Sequence, residues 1–165
     1  MSLARLGRHL VANRARVRKA FPVASLEKIG AAITMSEAGH AGQIRFVVEG
    51  ALDGAPLFRQ QSARSRALDV FAQLRVWDTE HNNGVLIYLL LADRDVEIIA
   101  DRGIDRVVGK AGWETICTAM EQAFRRGEYE QGVLTGIEAV GRHLVAHFPR
   151  GDAQPNELPD APVVM

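Results

Sequence analysis

The stretch of sequence that decides the fold is VWDTEHNNGVLIYLLLADRDVEIIADRGI, residues 76–104. Residues 85–91 are apolar at every position, which is typical of a central strand that is covered on both faces. Acidic and apolar residues then alternate from Asp95 onward, which predicts a second strand with one polar face. Because only residues 92–94 separate the two strands, we expect them to form an antiparallel hairpin.

One further strand and several helices are predicted around this hairpin. Alternating apolar residues at 43–49 indicate the strand, and turn-forming residues at 50–57 indicate a loop. Apolar residues at helical spacing predict helices at about 24–37, 60–74, 113–124 and 133–148. The order of these elements predicts a three-layer α/β/α sandwich with a mixed, mainly parallel sheet, since a helical crossover joins two parallel strands and the hairpin adds an antiparallel one.

The two ends of the chain differ from this body. In the segment 1–21, apolar residues recur at helical spacing between arginines, which predicts a basic amphipathic helix over 3–20. Residues 150–165 hold three of the six prolines and show no periodicity, so we predict a disordered tail. The globular domain is therefore expected to span residues 22–149.

The composition is that of one soluble globular domain. The chain has 165 residues with 47% hydrophobic content, and its longest apolar run, Val85 to Ala92, is eight residues. A helix that crosses a bilayer needs about 20 apolar residues, so no transmembrane segment is expected. The single Cys117 has no second cysteine with which to form an internal disulfide, which fits a cytoplasmic protein.

The formal net charge of zero hides an uneven distribution of charge. Residues 1–26 carry six basic and no acidic side chains, so residues 27–165 carry 14 basic and 20 acidic ones, a net charge of −6. An acidic body argues against nucleic acid as a partner, because phosphate binding needs a clustered basic surface. The basic helix can either lie on anionic lipid or dock on the acidic body, and of the two we favour docking.

Topology is expected to gather polar side chains at one rim of the sheet. The amino ends of the two parallel strands meet there, and the hairpin register places Asn83 and Gly84 opposite Arg102 and Gly103. The rim would hold Glu37, His40, Asp78, Glu80, His81, Asn82, Asn83, Asp101 and Asp105. Oxygen ligands of mixed charge suit a hard cation such as Ca²⁺ or Mg²⁺. The predicted metal ligands are Asp78, Glu80, Asn83, Asp101 and Asp105.

A second interpretation of the same residues needs no ion. Asn83 and Gly84 would supply a positive φ at a tight turn, and Asp78 and Asp101 would cap turns. The remaining polar side chains would then simply be solvated loop residues.

The sequence also resembles a known family. Residues 76–87, VWDTEHNNGVLI, are followed by Asp93-Arg94 and by ADRGI at 100–104, and FRRGEYEQG stands at 124–132. Together these segments resemble the pattern of the TPM domain family. The resemblance implies an α/β/α sandwich over residues 22–149 in a short, soluble member of bacterial type. It also implies metal binding by acidic loop residues in some members, and a weak acid-phosphatase activity in a plant member.

Two functions are compatible with these observations. We expect a binding or scaffolding module with a protein partner and a divalent cation at the rim, because no activated nucleophile stands out. The alternative is a weak, metal-assisted acid phosphatase. Its cation would be held by Asp78, Glu80, Asp101 or Asp105, with His40 or His81 as proton shuttle and Arg102 as phosphate clamp. No glycine-rich dinucleotide fingerprint follows a strand, so no nucleotide cofactor is expected.

Overall fold

The computed structural model describes residues 3–11, 14–151 and 154–165 of the chain. The strands are β1 (Gln43–Glu49), β2 (Gly84–Leu90), β3 (Asp95–Ala100) and β4 (Val163–Val164). The helices in these ranges are α1 (Leu3–Val11), α2 (Arg14–Ala20), α3 (Val23–Glu37), α4 (Gly54–Phe58), α5 (Ala63–Gln73), α6 (Arg102–Arg125) and α7 (Tyr129–His147).

The sheet is built on the predicted hairpin and runs in the order β3-β2-β1-β4. Strand β1 is parallel to β2, and β2 is antiparallel to β3, as predicted. The predicted hairpin register is wrong by one residue, because Val85 pairs with Ala100. The carbonyl oxygen of Gly84 therefore accepts a hydrogen bond from the N–H of Asp101 at 2.9 Å.

Helices cover both faces of the sheet and confirm the three-layer sandwich. On one face, strand residues such as Phe46 and Ile87 pack against α3, α6 and α7. On the other face, residues such as Val47 and Leu86 pack against α5. Every residue of β1 and β2 is buried, whereas three of the six residues of β3 are only half-buried.

The N-terminal segment consists of two helices in the described part of the chain. The predicted single helix over 3–20 includes residues 12–13, which lie outside the described residues. Leu6 of α1 packs against the apolar cluster on the α5 face, and Val17 of α2 is buried in the cluster on the opposite face. The segment thus contacts both outer layers, and the expectation that it docks on the body is confirmed.

The prediction of a disordered tail is wrong for residues 154–165. Val163 and Val164 pair with Val47 and Val48 and so extend the sheet beyond β1. Leu158 is buried in the apolar cluster on the α5 face. The tail is held by long-range contacts that its own composition does not reveal, while residues 152–153 lie outside the described residues.

Two further differences concern helices. The second half of the predicted loop at 50–57 lies in the short helix α4. Helix α6 begins at Arg102, well before the apolar face that starts at Trp113, and Asp101 is its N-cap. Gly109, with φ at 73°, interrupts the helical backbone between these two parts. In the described ranges, no helix is both long and apolar enough to cross a membrane.

Replacing Gly84 by alanine is expected to lower the free energy of unfolding by about 3 kcal/mol, the upper end of the usual cost of overpacking. The new Cβ would overlap the carbonyl oxygen of Val76, which is backbone and cannot rotate away. Urea unfolding followed by circular dichroism measures the effect. Gly151→Ala is the control, since a Cβ there has no neighbour within 4 Å among the described residues. Equal stability of the two variants would show that the approach to Val76 is not a constraint.

Candidate functional site

The loop before β2 carries the side chain of Asn83 into the interior, where it is fully buried. Its Nδ2 donates to the carbonyl oxygen of Ala41 at 3.2 Å, which fixes the orientation of the amide. Its backbone N–H donates to Thr79 Oγ1 at 3.2 Å, and its backbone oxygen accepts from Gln43 N–H at 3.3 Å. Asn83 Oδ1 is buried and has no hydrogen-bond donor among the described residues.

Asp101 is the N-cap of α6, and its backbone N–H bonds to Gly84, the residue that follows Asn83. Its Oδ1 accepts a hydrogen bond from the N–H of Arg102 at 2.7 Å, so the interpretation of Asp101 as a cap is confirmed for this oxygen. Its Oδ2 is buried and meets no donor in the described part of the chain. Because the backbone of Asp101 bonds to Gly84, the residue after Asn83, the two oxygens without donors belong to neighbouring segments.

The loop at residues 81–83 lies tightly against the first turn of α6. The N–H of Gly103 donates to the carbonyl oxygen of Asn82 at 2.9 Å. A Cβ at Gly103 would lie 2.5 Å from that oxygen and 2.7 Å from the carbonyl oxygen of His81, so only glycine fits. The positive φ expected at Asn83 and Gly84 occurs instead at Asn82, with φ at 51°.

Two of the predicted acidic ligands are engaged elsewhere. Asp105 Oδ1 accepts a hydrogen bond from the indole Nε1 of Trp113 at 2.9 Å. Asp78 forms an ion pair with Arg75 at 2.7 Å, and its side chain is 52% exposed. Neither carboxylate has an unpaired buried oxygen that would favour a metal ion.

Glu80 is exposed at the rim, where the tail brings a second carboxylate close to it. The backbone N–H of Glu80 donates to Glu157 Oε2 at 2.8 Å. The tail is held there because the N–H groups of Glu157 and Leu158 donate to Gln43 Oε1. Sequence reasoning missed Glu157, because the segment that carries it was predicted to be disordered.

The rim therefore differs from the predicted set of five ligands. Across the described ranges, no three His, Cys, Asp or Glu side chains come together as a group that could hold a metal. Asn83 and Asp101 nevertheless present buried oxygens without donors, one neutral and one anionic. Such hard oxygen atoms suit Ca²⁺ or Mg²⁺, with water and backbone carbonyls completing the coordination. The donor set of these two residues thus fits a hard cation.

Glu37 and His40 occupy the same edge but are buried with partners of their own. His40 is 2% exposed, its Nδ1 lies 3.1 Å from Gly42 O, and its Nε2 lies 3.0 Å from Ser36 Oγ. Burial lowers the pKa of His40. Both ring nitrogens are in use away from solvent, so this side chain is unsuited to the predicted role of proton shuttle.

The remaining predicted catalytic side chains, His81 and Arg102, are exposed at the rim. Because both side chains are exposed, burial does not fix their positions. Cys117 is not an activated nucleophile, because burial raises the pKa of its thiol to about 12. The structure thus leaves Asn83 Oδ1 and Asp101 Oδ2 without donors in neighbouring segments and His81 and Arg102 exposed, and it assembles no buried acid–base pair among these four described residues.

At the opposite end of β2 from Asn83, sequence reasoning missed a cluster around Asp93, which lies in the turn between β2 and β3. Its Oδ2 accepts from Arg5 Nε at 2.9 Å and lies 3.2 Å from His9 Nε2, and its Oδ1 accepts from Arg8 at 3.0 Å. Burial raises the pKa of Asp93, but these hydrogen bonds outweigh burial and lower it. The spacing of the three basic residues, on one face of a helix, is a signal for a shared acidic partner.

A buried polar group at the carboxyl end of β1 was also missed. Arg66 donates two hydrogen bonds to the Glu49 carboxylate, at 2.9 and 3.0 Å, and Tyr88 Oη donates to the same carboxylate at 2.5 Å. Burial, followed by the hydrogen bond to Glu49, raises the pKa of Tyr88. All the carboxylate's close partners are donors, so this group holds α5 to the sheet and needs no ligand.

We expect Glu37→Gln to reduce the loss of stability at alkaline pH. Burial, opposed by the hydrogen bond from Ile44 N–H at 2.7 Å, raises the pKa of Glu37 from 4.5 to about 8. Between these values the native state keeps a proton that the unfolded chain has released, so stability falls as the pH rises from 4.5 to about 8.

Urea unfolding at pH 6 and pH 9 measures this difference. At pH 9 the free energy of unfolding of Glu37→Gln should be higher than that of wild type by at least about 1 kcal/mol, since one pKa unit corresponds to about 1.4 kcal/mol. Glu138→Gln, on an exposed face of α7, is the control and should follow wild type. If Glu37→Gln has the wild-type dependence on pH, the native carboxyl of Glu37 is already ionised and its pKa is not raised.

Comparisons with known proteins agree with this architecture. The family model described as TPM domain matches residues 19–143. The NMR structure of the BA42 protein from the psychrophilic bacterium Bizionia argentinensis is 31% identical, with a TM-score of 0.77, over 88% of this chain and 95% of that one. The N-terminal domain of a P. gingivalis protein is 21% identical, with a TM-score of 0.63, over 79% and 82% of the two chains, and this supports the fold alone.

No curated protein matches the chain. The family match nevertheless covers most of the predicted domain, and the segments that carried the resemblance lie within it. The two segments that flank the match are the N-terminal helices up to Arg18 and the chain from Leu144 onward. From these findings, the chain belongs to the TPM domain family.

Proposed function

We propose that this protein is a binding module that holds Ca²⁺ or Mg²⁺ at Asn83 and Asp101. The observation that carries the proposal is the pair of buried oxygens without donors, Asn83 Oδ1 and Asp101 Oδ2. A buried acceptor that lacks a donor costs about 1–3 kcal/mol, and more when it is charged. A cation would offset this cost, and it would supply a positive charge between the loop before β2 and the start of α6.

Asn83 and Asp101 would have different roles in holding the cation. Asn83 is held by its bond to Ala41, so its oxygen is already oriented before a cation arrives. Asp101 contributes the negative charge through Oδ2, while its Oδ1 stays on the N–H of Arg102. Such preorganisation lowers the cost of binding, because little side-chain freedom remains to be lost.

The other predicted ligands have less support. Asp105 and Asp78 have hydrogen-bond or ion-pair partners, Trp113 and Arg75 respectively. Glu80 is exposed and could reach a bound cation only through movement of its side chain or through water. We also propose a protein partner, because no activated nucleophile stands out, and a cytoplasmic location, because the single Cys117 has no second cysteine for an internal disulfide.

The cation site is tested by melting temperature during titration with CaCl₂ and, separately, MgCl₂. A ligand at 100 times its Kd stabilises the native state by about 2.7 kcal/mol, which for a domain of this size raises Tm by about 5–10 °C. Asp101→Asn should remove most of this shift. Asparagine is a good N-cap, so it should keep the bond to Arg102 and the fold while removing the charge.

The matched control is Asp78→Asn, which removes the same charge from the same rim. Because Asp78 pairs with Arg75, we expect this variant to keep the wild-type Tm shift. Equal loss of the shift in both variants would mean that general rim charge, and not Asp101, attracts the cation. No shift in wild type at 10 mM of either ion, a concentration on the order of the weakest extracellular calcium sites or above, would contradict the proposal.

A weak metal-assisted phosphatase is the second candidate. What favours it is the exposure of Arg102 and His81 at the same rim, where they could meet a phosphate ester from solvent. Arg102 would bind phosphate oxygens, and His81 would exchange a proton with the leaving group. A bound cation would supply Lewis acidity.

Hydrolysis of p-nitrophenyl phosphate separates the two candidates. For a binding module, the rate should equal that of buffer and should be indifferent to EDTA and to Asp101→Asn. A rate that EDTA abolishes, that falls at least tenfold in Asp101→Asn and Arg102→Ala, and that survives in Asp78→Asn would establish the phosphatase and overturn the pure binding role.

A further inference from the structure

A groove of about 770 Å³ runs along the outer edge of the sheet, beside β3. Helix α6 forms one wall with Trp113, Cys117 and Glu121, and Arg64 of α5 stands on the other side. Residues 95–98 of β3 contribute to its floor. The groove is separate from Asn83, since that residue does not line it.

Strand β3 presents backbone hydrogen-bonding groups to this groove. In an antiparallel pair, residues alternate between those that bond to the neighbouring strand and those that point away. Because Asp101 N–H bonds to Gly84 O, every second residue before Asp101 also directs its backbone N–H and C=O towards β2. These residues include Glu97 and Ile99. The groups of Val96, Ile98 and Ala100 therefore face outward, as on any edge strand that can accept a further strand.

Side chains now occupy part of this edge. Arg64 Nη1 donates to Ile98 O at 3.0 Å, and Val96 N–H donates to Glu121 Oε1 at 3.3 Å. The Arg64 side chain is 57% exposed, so it can turn away without disturbing the core. These contacts resemble the charged caps that protect edge strands, but a backbone partner could replace both with hydrogen bonds of its own.

The charge around the groove favours a cationic ligand. Acidic side chains outnumber basic ones, with Asp95, Glu97, Asp105, Glu114 and Glu121 against Arg64 and Lys110. Burial raises the pKa of Asp95 to about 6, and the negative charges of Glu97 and Glu121 add to this effect. Negative charge is therefore in excess beside the edge of β3, and a cationic partner would compensate it.

We propose that this groove binds a basic segment of a partner protein in extended conformation, as an added strand on β3. Main-chain hydrogen bonds to Val96, Ile98 and Ala100 would give affinity, and the acidic walls would select lysine or arginine, as in other cases of strand addition. Six residues of β3 span about 20 Å, so the segment needs about six to eight residues. The proposal extends the binding role above to a second surface and uses neither Asn83 nor Asp101.

The probe is a fluorescein-labelled octapeptide of alternating Lys and Val, whose binding is measured by fluorescence anisotropy at 150 mM NaCl. Two peptides serve as controls: alternating Glu and Val, and the Lys–Val peptide N-methylated at alternate residues. We expect the acidic peptide not to bind and the methylated peptide to bind at least tenfold more weakly. If the methylated peptide binds as well as the unmodified one, charge alone attracts it and strand addition is wrong.

A matched pair of charge reversals tests the location. Glu114→Lys changes an exposed residue of the groove that pairs with Lys110 four positions before it. Glu138→Lys changes an exposed residue of α7 that pairs with Arg142 four positions after it. We expect Glu114→Lys to raise the Kd of the Lys–Val peptide at least fivefold and Glu138→Lys to raise it less than twofold. Equal effects would contradict the assignment to this groove.

Amide resonances give the direct evidence for pairing. On saturation with the Lys–Val peptide, the N–H signals of Val96, Ile98 and Ala100 should shift and their hydrogen exchange should slow. Shifts confined to other surfaces would overturn the proposal. Because Asp101→Asn should bind the peptide as wild type does, failure of the cation site and failure of strand addition remain distinguishable.

Discussion

Close backbone packing at the start of β2 is the constraint on which the rest of this structure depends. Gly84 has no Cβ, and the carbonyl oxygen of Val76 fills the space where one would stand. The Gly84 oxygen binds the N–H of Asp101, and the amide of Asn83 reaches Ala41 before β1. The end of the α5 layer, the central strands and the first turn of α6 thus meet at one place. No residue with a side chain could stand at 84 without separating them.

Polar side-chain atoms are buried at the same place. The Asn83 amide donates to the Ala41 oxygen while Asn83 Oδ1 has no donor among the described residues, and Asp101 Oδ1 accepts from the Arg102 N–H while Asp101 Oδ2 has none. Glu37, at the same edge, differs because the N–H of Ile44 bonds to it and its raised pKa allows it to hold a proton. Burial thus raises the pKa of Glu37, whereas Asp101 has one buried oxygen that meets no donor among the described residues.

Much of the fold could be predicted from the sequence, because the patterns that encode it are local. The apolar run at 85–91 and the alternation after Asp95 identify the hairpin and the buried central strand. The tail could not be predicted, since Leu158 and Val163 are held by residues more than 100 positions away, such as Gln43 and Val47.

Topology predicted that the segments of Asn83 and Asp101 are neighbours, and the hydrogen bond between Asp101 N–H and Gly84 O joins them. The wider set of metal ligands had no local signal against it. Asp105 bonds to Trp113 across the break at Gly109, and that contact depends on the backbone conformation of α6. The free edge of β3 could not be predicted from local patterns, because it depends on the strand order, which places β3 at the outside of the sheet.

The proposed cation site at Asn83 and Asp101 is tested most directly by paramagnetic broadening with Mn²⁺, which prefers the same oxygen ligands as Mg²⁺. In a ¹⁵N-labelled sample with a small fraction of Mn²⁺, the Asn83 side-chain amide and the N–H signals of Asp101 and Gly103 should broaden first, and excess Ca²⁺ or Mg²⁺ should restore them. Broadening that begins at the exposed carboxylates Asp78 and Glu80 and leaves Asn83 sharp would contradict the account.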